Sequence, residues 1–389
     1  MQFSYTPEQN ELRRELRAYF GELMTEEVQA EVAVGNTGGP HCLAAVRKMG
    51  RDGWLGIGWP REYGGQGRGV VEQYIFYDES WRALAPVPAL TINTVAQALM
   101  AHASQEQKDF FLPRILEGEL HFSIGYTEPA AGTDLASLRT RAVRDGDHWV
   151  INGQKIYTSL AGYADYIWLA ARTDPDAPKH KGISIFTVPT STPGFSLTEI
   201  GTIVKSGTTS TYYEDVRVPA SALVGPENGG WQLITDQLNY ERVAICPPGM
   251  IGQVFDDTVA WACEAKRPDG TRVIDQPWVR SNLARVRAGL EYLKLVNWKV
   301  VSASQLDPAD ASVTKVFGSE FFCEAYRALL EVFGPAGYLR RGSKGAMLRG
   351  RIERAYQGTL FLTFGGGTNE VQRDLICLFG LGMPRVPRM

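Results

Sequence analysis

The sequence predicts an α+β chain that is mostly α. It divides into an N-terminal helical domain over 1–120, a small β barrel or sandwich over 121–230 and a C-terminal helical bundle over 231–389. Apolar residues recur at helical spacing in the first third, the period shortens to that of strands in the middle, and long helical stripes return at the end. The 389 residues suit two or three domains, at roughly 100–200 residues each. A hydrophobic share of 44% against 21% charged residues excludes wholesale disorder.

The elements follow in order. Thr6-Pro7-Glu8-Gln9 reads as a capping box with proline at the first helical position, ahead of Leu12, Leu16, Tyr19, Phe20 and Leu23. A glycine-rich loop spans Gly53 to Gly69, and further helices are expected over Glu72–Ala85 and Gln105–Leu116. The uncharged stretch from Ala83 to Ala101 carries Pro86, Pro88, Thr91, Asn93, Thr94 and Gln97, so it reads as loop plus buried helix rather than a membrane span. In the middle third, Asn152-Gly153 between two apolar runs predicts a hairpin turn. Tyr166–Ala171, Gly182–Val188 and Ser210–Val218 read as strands, and short strands at this spacing suggest a small barrel or sandwich. Val279, Leu283, Val286, Leu290, Leu293 and Val300 form one helical stripe, and Thr314–Phe333 and the segment after Thr368 form others.

Composition excludes several function classes. A net charge of -3 provides no field for a nucleic-acid backbone or an anionic membrane. The five cysteines, Cys42, Cys246, Cys263, Cys323 and Cys377, contain no CxxC pair, and a reducing cytoplasm fits them best. The N-terminus lacks the charged and apolar regions of a signal peptide. None of His41, His102, His121, His148 and His180 stands at a ligand spacing from another, so no metal is expected. Gly64–Gly69 does not follow a strand and is not a dinucleotide fingerprint.

Three constellations remain. Gly125-Tyr126-Thr127-Glu128-Pro129-Ala130-Ala131-Gly132-Thr133-Asp134 combines hydroxyls, small residues and backbone N–H groups that can approach a flat hydrogen-bonding ring and a phosphate. A polar joint between domains would look similar. Asn239-Tyr240-Glu241-Arg242 stands at the head of the apolar run Val243-Ala244-Ile245. Glu241 is either a surface acid at a helix start or a general base whose proton affinity a desolvating cleft would raise. Phe364-Gly365-Gly366-Gly367-Thr368-Asn369 lets backbone approach a ligand and exposes N–H groups at a helix start, or simply joins two helices.

Taken in order, these segments resemble the acyl-CoA dehydrogenases. The first is similar to that family's TEPxxGSD turn, Asn152-Gly153-Gln154-Lys155 to its NGxKxxI/T stretch, Glu331–Tyr338 to its QxxGGxGY motif, and Gly366–Arg373 to its EGTxxIQR motif. Gly53–Gly65 and Gln107–Pro113 are similar to GxLG…P..YGG and QKxxxLP. The resemblance covers essentially the whole chain and implies a helical domain, a small β domain and a four-helix bundle. It also implies FAD as cofactor and oxidation of an acyl-CoA to the 2,3-enoyl-CoA, with an electron-transfer flavoprotein as electron acceptor.

Carried over by position, the resemblance assigns flavin and pyrophosphate contacts to Tyr126, Thr127, Gly132 and Thr133, with Thr133 also at the substrate arm. It places Tyr157 and Ser159 beside the flavin N5, Thr368 and Asn369 on the cofactor, and Arg242 on CoA. Many members carry the catalytic glutamate just before Gly-Thr of the last motif, where this chain has Gly366. Others carry it on the helix after the β domain, where this chain has Glu241, which is therefore expected to be the base. Gly366 keeps its N–H for the thioester carbonyl and leaves room for a bulky or branched acyl group.

Departures from the family pattern imply a partner. The family's Arg-x-x-Phe-Gly stretch, which reaches a neighbour's FAD, is replaced by Lys266-Arg267-Pro268-Asp269-Gly270. The glutamine and second glycine of QxxGGxGY are Glu331 and Pro335. The expected assembly is a heteromer with a second acyl-CoA-dehydrogenase-like subunit. The whole chain, including Pro384-Arg385-Val386-Pro387-Arg388, is similar to the catalytic subunit of bacterial heteromeric enzymes that shorten steroid side chains. An acyl-CoA oxidase and a non-catalytic partner subunit are the alternatives.

Overall fold

The structure, a computed structural model, describes residues 4–203, 207–244, 246–303 and 307–384, with backbone alone for 239–244. The closing Arg385-Val386-Pro387-Arg388 and Ile245 lie outside the described residues. Helices α1 (Pro7–Leu23), α2 (Glu26–Val34), α3 (Pro40–Arg51), α4 (Val70–Ala83), α5 (Ala96–His102) and α6 (Gln105–Leu116) come first. Strands β1 (Phe122–Gly125), β2 (Arg141–Asp145), β3 (His148–Ser159), β4 (Tyr166–Arg172), β5 (Ile183–Pro189), β6 (Phe195–Glu199), β7 (Thr208–Pro219) and β8 (Leu223–Val224) follow. Helices α7 (Gly230–Ala244), α8 (Gly249–Glu264), α9 (Pro277–Val301), α10 (Pro308–Phe333), α11 (Arg351–Thr359) and α12 (Asn369–Leu375) complete the chain. The expected helix–strand–helix order is the order found.

The chain forms two compact units. One comprises Met1–Thr25, Gly69–Ala85 and Arg242–Met389, the other Glu26–Arg68 and Pro86–Glu241. In the helical unit, the Thr6 hydroxyl accepts from the Gln9 N–H while the Gln9 side chain accepts from the Thr6 N–H, which completes the expected capping box. Helix α1 is held to α4 by Arg13 and Arg17, which bind the buried Glu79 carboxylate at 2.9 and 2.7 Å. The core of this unit gathers Leu290 and Leu293 of α9, Phe322 and Leu329 of α10, and Ile352 of α11.

The other unit is built on an eight-stranded sheet ordered β6-β7-β3-β2-β4-β5-β8, with β1 added parallel to β4. Trp149, Ile151, Ile167, Leu169, Phe186, Val188, Val216 and Val218 fill its core. Ser104 and Gln107 form a second capping box that opens α6. The Gln107 amide also donates to the carbonyls of Ser221 and Leu223, tying α6 to the end of the sheet.

Two sequence expectations are corrected. Asn152-Gly153 is not a turn but lies inside β3, and the hairpin instead turns at Gly146-Asp147, where Asp145 pairs with His148. A Cβ on Gly153 would lie 2.5 Å from the Thr140 hydroxyl, so the glycine is there for a close approach of neighbouring chain. The Asn152 amide donates to Asp215 at 2.9 Å and its oxygen accepts from the Asp215 N–H at 2.9 Å, bracing a bulge in β7. Second, Glu241 stands not at the head of a helix but in the last turn of α7. That helix begins at Gly230, and Pro247-Pro248 separate it from α8.

Candidate active site

In the β unit, the turn after β1 is tied down at three successive residues. The Tyr126 hydroxyl donates to Gln237 Oε1 on α7 and accepts from Trp168 Nε1 at 3.0 Å. The Thr127 carbonyl accepts from the Ile156 N–H of β3 at 2.8 Å. The Glu128 carboxylate accepts from the N–H groups of Arg139 and Thr140 at 2.7 and 2.8 Å. The first and second motifs are thus joined directly. Beyond this anchored base, Pro129, Ala130, Gly132 and Thr133 are exposed.

Beneath the turn lies Lys155, the lysine of the second motif, to which the sequence reading gave no role. Lys155 is fully buried, and its ammonium donates to the Tyr126 carbonyl at 3.0 Å and to Glu128 Oε1 at 2.8 Å. Burial pulls the ammonium below its ordinary range in spite of Glu128. Burial would raise the Glu128 carboxyl, but Lys155 and the two backbone donors outweigh it and hold the group below its ordinary range. The signal was strand alternation, since Trp149 and Ile151 put position 155 on the inward face.

Farther along β3, Tyr157 is 61% exposed and has a φ of 59°, within a bulge between the pairs Lys155–Thr211 and Thr158–Thr209. Ser159 is half-buried, and its hydroxyl donates to Thr208 Oγ1 at 3.3 Å. Gln237 is 1% exposed, and its Nε2 has no hydrogen-bond partner among the described residues. A buried amide donor beside Tyr126 is a group that a bound ligand could satisfy.

The helical unit holds the last motif. Gly366 and Gly367 have φ values of 68° and 93°. Thr368 caps α12, its hydroxyl accepting from the Val371 N–H at 3.3 Å. Asn369 is buried and binds Ser319 and Glu320 through its amide nitrogen. The fully buried Lys315 of α10 donates to the Gly367 carbonyl and to Asn369 Oδ1, both at 2.7 Å. The buried Gln372 accepts from the Ser312 hydroxyl at 2.9 Å, while its Nε2 has no partner among the described residues.

The backbone of Glu241 and Arg242 is described, but their side chains lie outside the described residues. The stretch from Lys266 to Gly270 closes on itself: Arg267 N–H donates to the Thr271 carbonyl at 2.8 Å, and Asp269 accepts from the Thr271 N–H at 3.0 Å. Glu331 is exposed and accepts from the Asn282 amide at 3.0 Å.

Comparison with known proteins decides the family. Models of the acyl-CoA dehydrogenase N-terminal, middle and C-terminal domains match residues 6–119, 123–216 and 228–378. The chain belongs to the acyl-CoA dehydrogenase family. This acyl-CoA dehydrogenase is 56% identical to acyl-CoA dehydrogenase FadE26 of Mycobacterium tuberculosis over 404 residues, covering 100% of both chains. It is 50% identical to FadE29 of the same organism, over 98% of this chain and 99% of that one. Among solved structures it is similar to a chain of the ChsE4–ChsE5 complex from Mycobacterium tuberculosis, with a TM-score of 0.94, 57% identity, and coverage of 99% and 100%. A chain of the Tcur3481–Tcur3483 steroid ACAD matches with a TM-score of 0.93, 50% identity and the same coverage. The enzyme is an oxidoreductase with the three-part family fold. Among its described residues no helix is long and apolar enough to cross a membrane.

Proposed function

We propose that this acyl-CoA dehydrogenase is the catalytic subunit of a heteromeric, FAD-dependent enzyme that desaturates a bulky acyl-CoA, a steroid side-chain thioester in particular. The observation that carries the reading is Gly366. Its φ of 68° is a conformation in which a glutamate would be strained, so the base belongs at Glu241 on α7.

The residues fit a flavin. The small-residue turn from Pro129 to Thr133, exposed except at Ala131, the exposed Tyr157 ring and the buried Gln237 Nε2, which has no partner among the described residues, offer a flat ring donors and a surface. Thr127, Gly132, Thr133, Tyr157 and Ser159 serve it from the β unit, with Tyr126 acting through its backbone because its hydroxyl is engaged. Thr368 and Asn369 are further cofactor contacts in this reading, Asn369 through its backbone because its side chain is engaged. FAD, when bound, supplies the acceptor for the β hydride and its electron pair.

The chain's own residues supply the rest. The Glu241 carboxylate takes the α proton, and the Gly366 N–H donates to the thioester carbonyl as negative charge develops on it. Arg242 pairs with the CoA phosphates, Thr133 meets the substrate arm, and the product is the 2,3-enoyl-CoA. The self-closed turn at Lys266–Gly270 supports dependence on a second acyl-CoA-dehydrogenase-like subunit in an α2β2 assembly. The likeness to a steroid ACAD and to the ChsE4–ChsE5 complex supports both the substrate class and the heteromer. An electron-transfer flavoprotein then reoxidises the enzyme, and the cytoplasm is its compartment.

The test is co-expression with the product of the neighbouring gene and anaerobic addition of candidate acyl-CoAs. Substrate should bleach the flavin band, and Glu241→Gln should abolish bleaching with FAD still bound. Unchanged bleaching in that variant would sink the base assignment.

A further inference from the structure

We infer that Lys155 is a positioning residue for the cofactor: with Glu128 it clamps the Tyr126–Thr127–Glu128 turn from below and so sets where Thr127 meets the flavin. The inference rests on the reading of that turn as the flavin site.

The geometry separates this clamp from ordinary core packing. Lys155 is 0% exposed, in a strand whose inward residues before it, Trp149 and Ile151, are apolar. A buried ammonium is costly unless fully bonded. Here its two acceptors lie on either side of Thr127, the Tyr126 carbonyl at 3.0 Å and Glu128 Oε1 at 2.8 Å. The Thr127 carbonyl is held by Ile156, the residue next to Lys155 on β3. Glu128 transmits the restraint to Arg139 and Thr140, just before β2. One side chain thus fixes both flanks of Thr127, while the exposed residues after it have no comparable anchor in this clamp. The same two charges set the local potential under the turn, so the pair bears on the flavin's electronic environment as well as its position.

The test uses whichever assembly of the full chain holds FAD and compares wild type, Thr127→Ala, Lys155→Met and Glu128→Gln. FAD affinity is read by flavin fluorescence, alongside the visible spectrum and the midpoint potential. Lys155→Met should weaken FAD binding about tenfold, as loss of a charged buried hydrogen bond does, and should shift the long-wavelength flavin band and the potential. If Lys155→Met does not fold, the near-isosteric Glu128→Gln is read by the same criteria. Should Thr127→Ala weaken FAD binding while the clamp variant binds FAD with the wild-type spectrum and potential, the inference is overturned and the flavin-turn reading stands. Should Thr127→Ala leave FAD binding unchanged, the flavin-turn reading fails and the inference with it. A clamp variant that loses only thermal stability counts against a positioning role.

Discussion

Lys155 and Tyr157 stand two residues apart on β3 yet face opposite ways. Lys155 is 0% exposed and Tyr157 61%. In a regular strand residues i and i+2 share a face. Here three steps along β3, from Lys155 to Thr158, match two along β7, from Thr211 to Thr209, and the extra residue shifts the alternation so that Thr158 is buried instead. The φ of 59° at Tyr157 is where that extra residue is absorbed. One strand therefore presents a buried cation on one side and an exposed aromatic ring on the other.

This arrangement makes Tyr157 a residue whose conformation opposes stability. A left-handed conformation at a bulky residue costs about 1–2 kcal/mol relative to glycine. Tyr157→Gly should therefore leave Tm unchanged or raise it, because an exposed ring contributes little burial, while turnover falls. Tyr157→Phe should keep turnover if the ring rather than the hydroxyl serves the cofactor. Thermal unfolding and steady-state assays of the two variants check this, and a Tm loss of several degrees in Tyr157→Gly would contradict it.

Gly366 presents the converse case. At a φ of 68° glycine is at ease. Gly366→Ala should lose about 1 kcal/mol of stability, with a larger proportional loss of turnover, because the N–H assigned to the thioester carbonyl moves with the backbone. Denaturant titration paired with kinetics separates the two effects. A variant with full turnover would remove Gly366 from the mechanism.

The order of helices and strands was legible because core faces carry simple periodicities, and the starts of α6, α9, α10 and α12 follow caps or prolines visible in the chain. What was illegible depended on contacts from distant residues. Asn152-Gly153 reads locally as a turn, yet Thr140 and Asp215 claim it for the strand interior. Alternation along β3 turns Lys155 inward, but what it and Lys315 hold is visible only once the turns above them are in place. The turn after β1 and the glycine turn could be located from sequence, but the buried lysine beneath each belongs to a different element. The start of α7 was missed because its glycines, Gly229 and Gly230, look like loop; a Cβ on Gly230 would lie 2.9 Å from the Ile183 carbonyl oxygen.

Lys315 leads to a prediction for the glycine turn before α12. Its ammonium holds the Gly367 carbonyl, whereas Asn369 Oδ1 has the Ser319 hydroxyl as a further donor at 3.3 Å. Lys315→Met should thus leave chiefly the Gly367 carbonyl short of a donor, at a cost of about 1–3 kcal/mol for a buried unpaired acceptor. Urea unfolding measures the stability loss. Turnover should fall further than stability alone explains, since Gly366 and Gly367 adjoin. Equal stability in variant and wild type would show that the turn holds its shape without the lysine.

Asp78 predicts how stability depends on pH. Its Oδ1 accepts from the Gly249 N–H at 2.6 Å, and a Cβ on Gly249 would lie 2.0 Å from the Asp78 carbonyl oxygen, so α4 and the start of α8 are in intimate contact. Burial pushes the Asp78 carboxyl up from 3.8 to about 6; the Gly249 N–H opposes the rise and neighbouring Glu79 adds to it. Between those two values the folded chain keeps a proton that the unfolded chain has released. Folding stability contributed by this group is therefore present below 3.8 and lost as pH rises through about 6. Asp78→Asn keeps an oxygen for the Gly249 N–H but cannot titrate. The Tm of the variant minus that of wild type should accordingly grow more positive as pH rises across that window and level off above it. Parallel Tm profiles for the two proteins would show that Asp78 titrates in its ordinary range and that its carboxylate is not strained by burial.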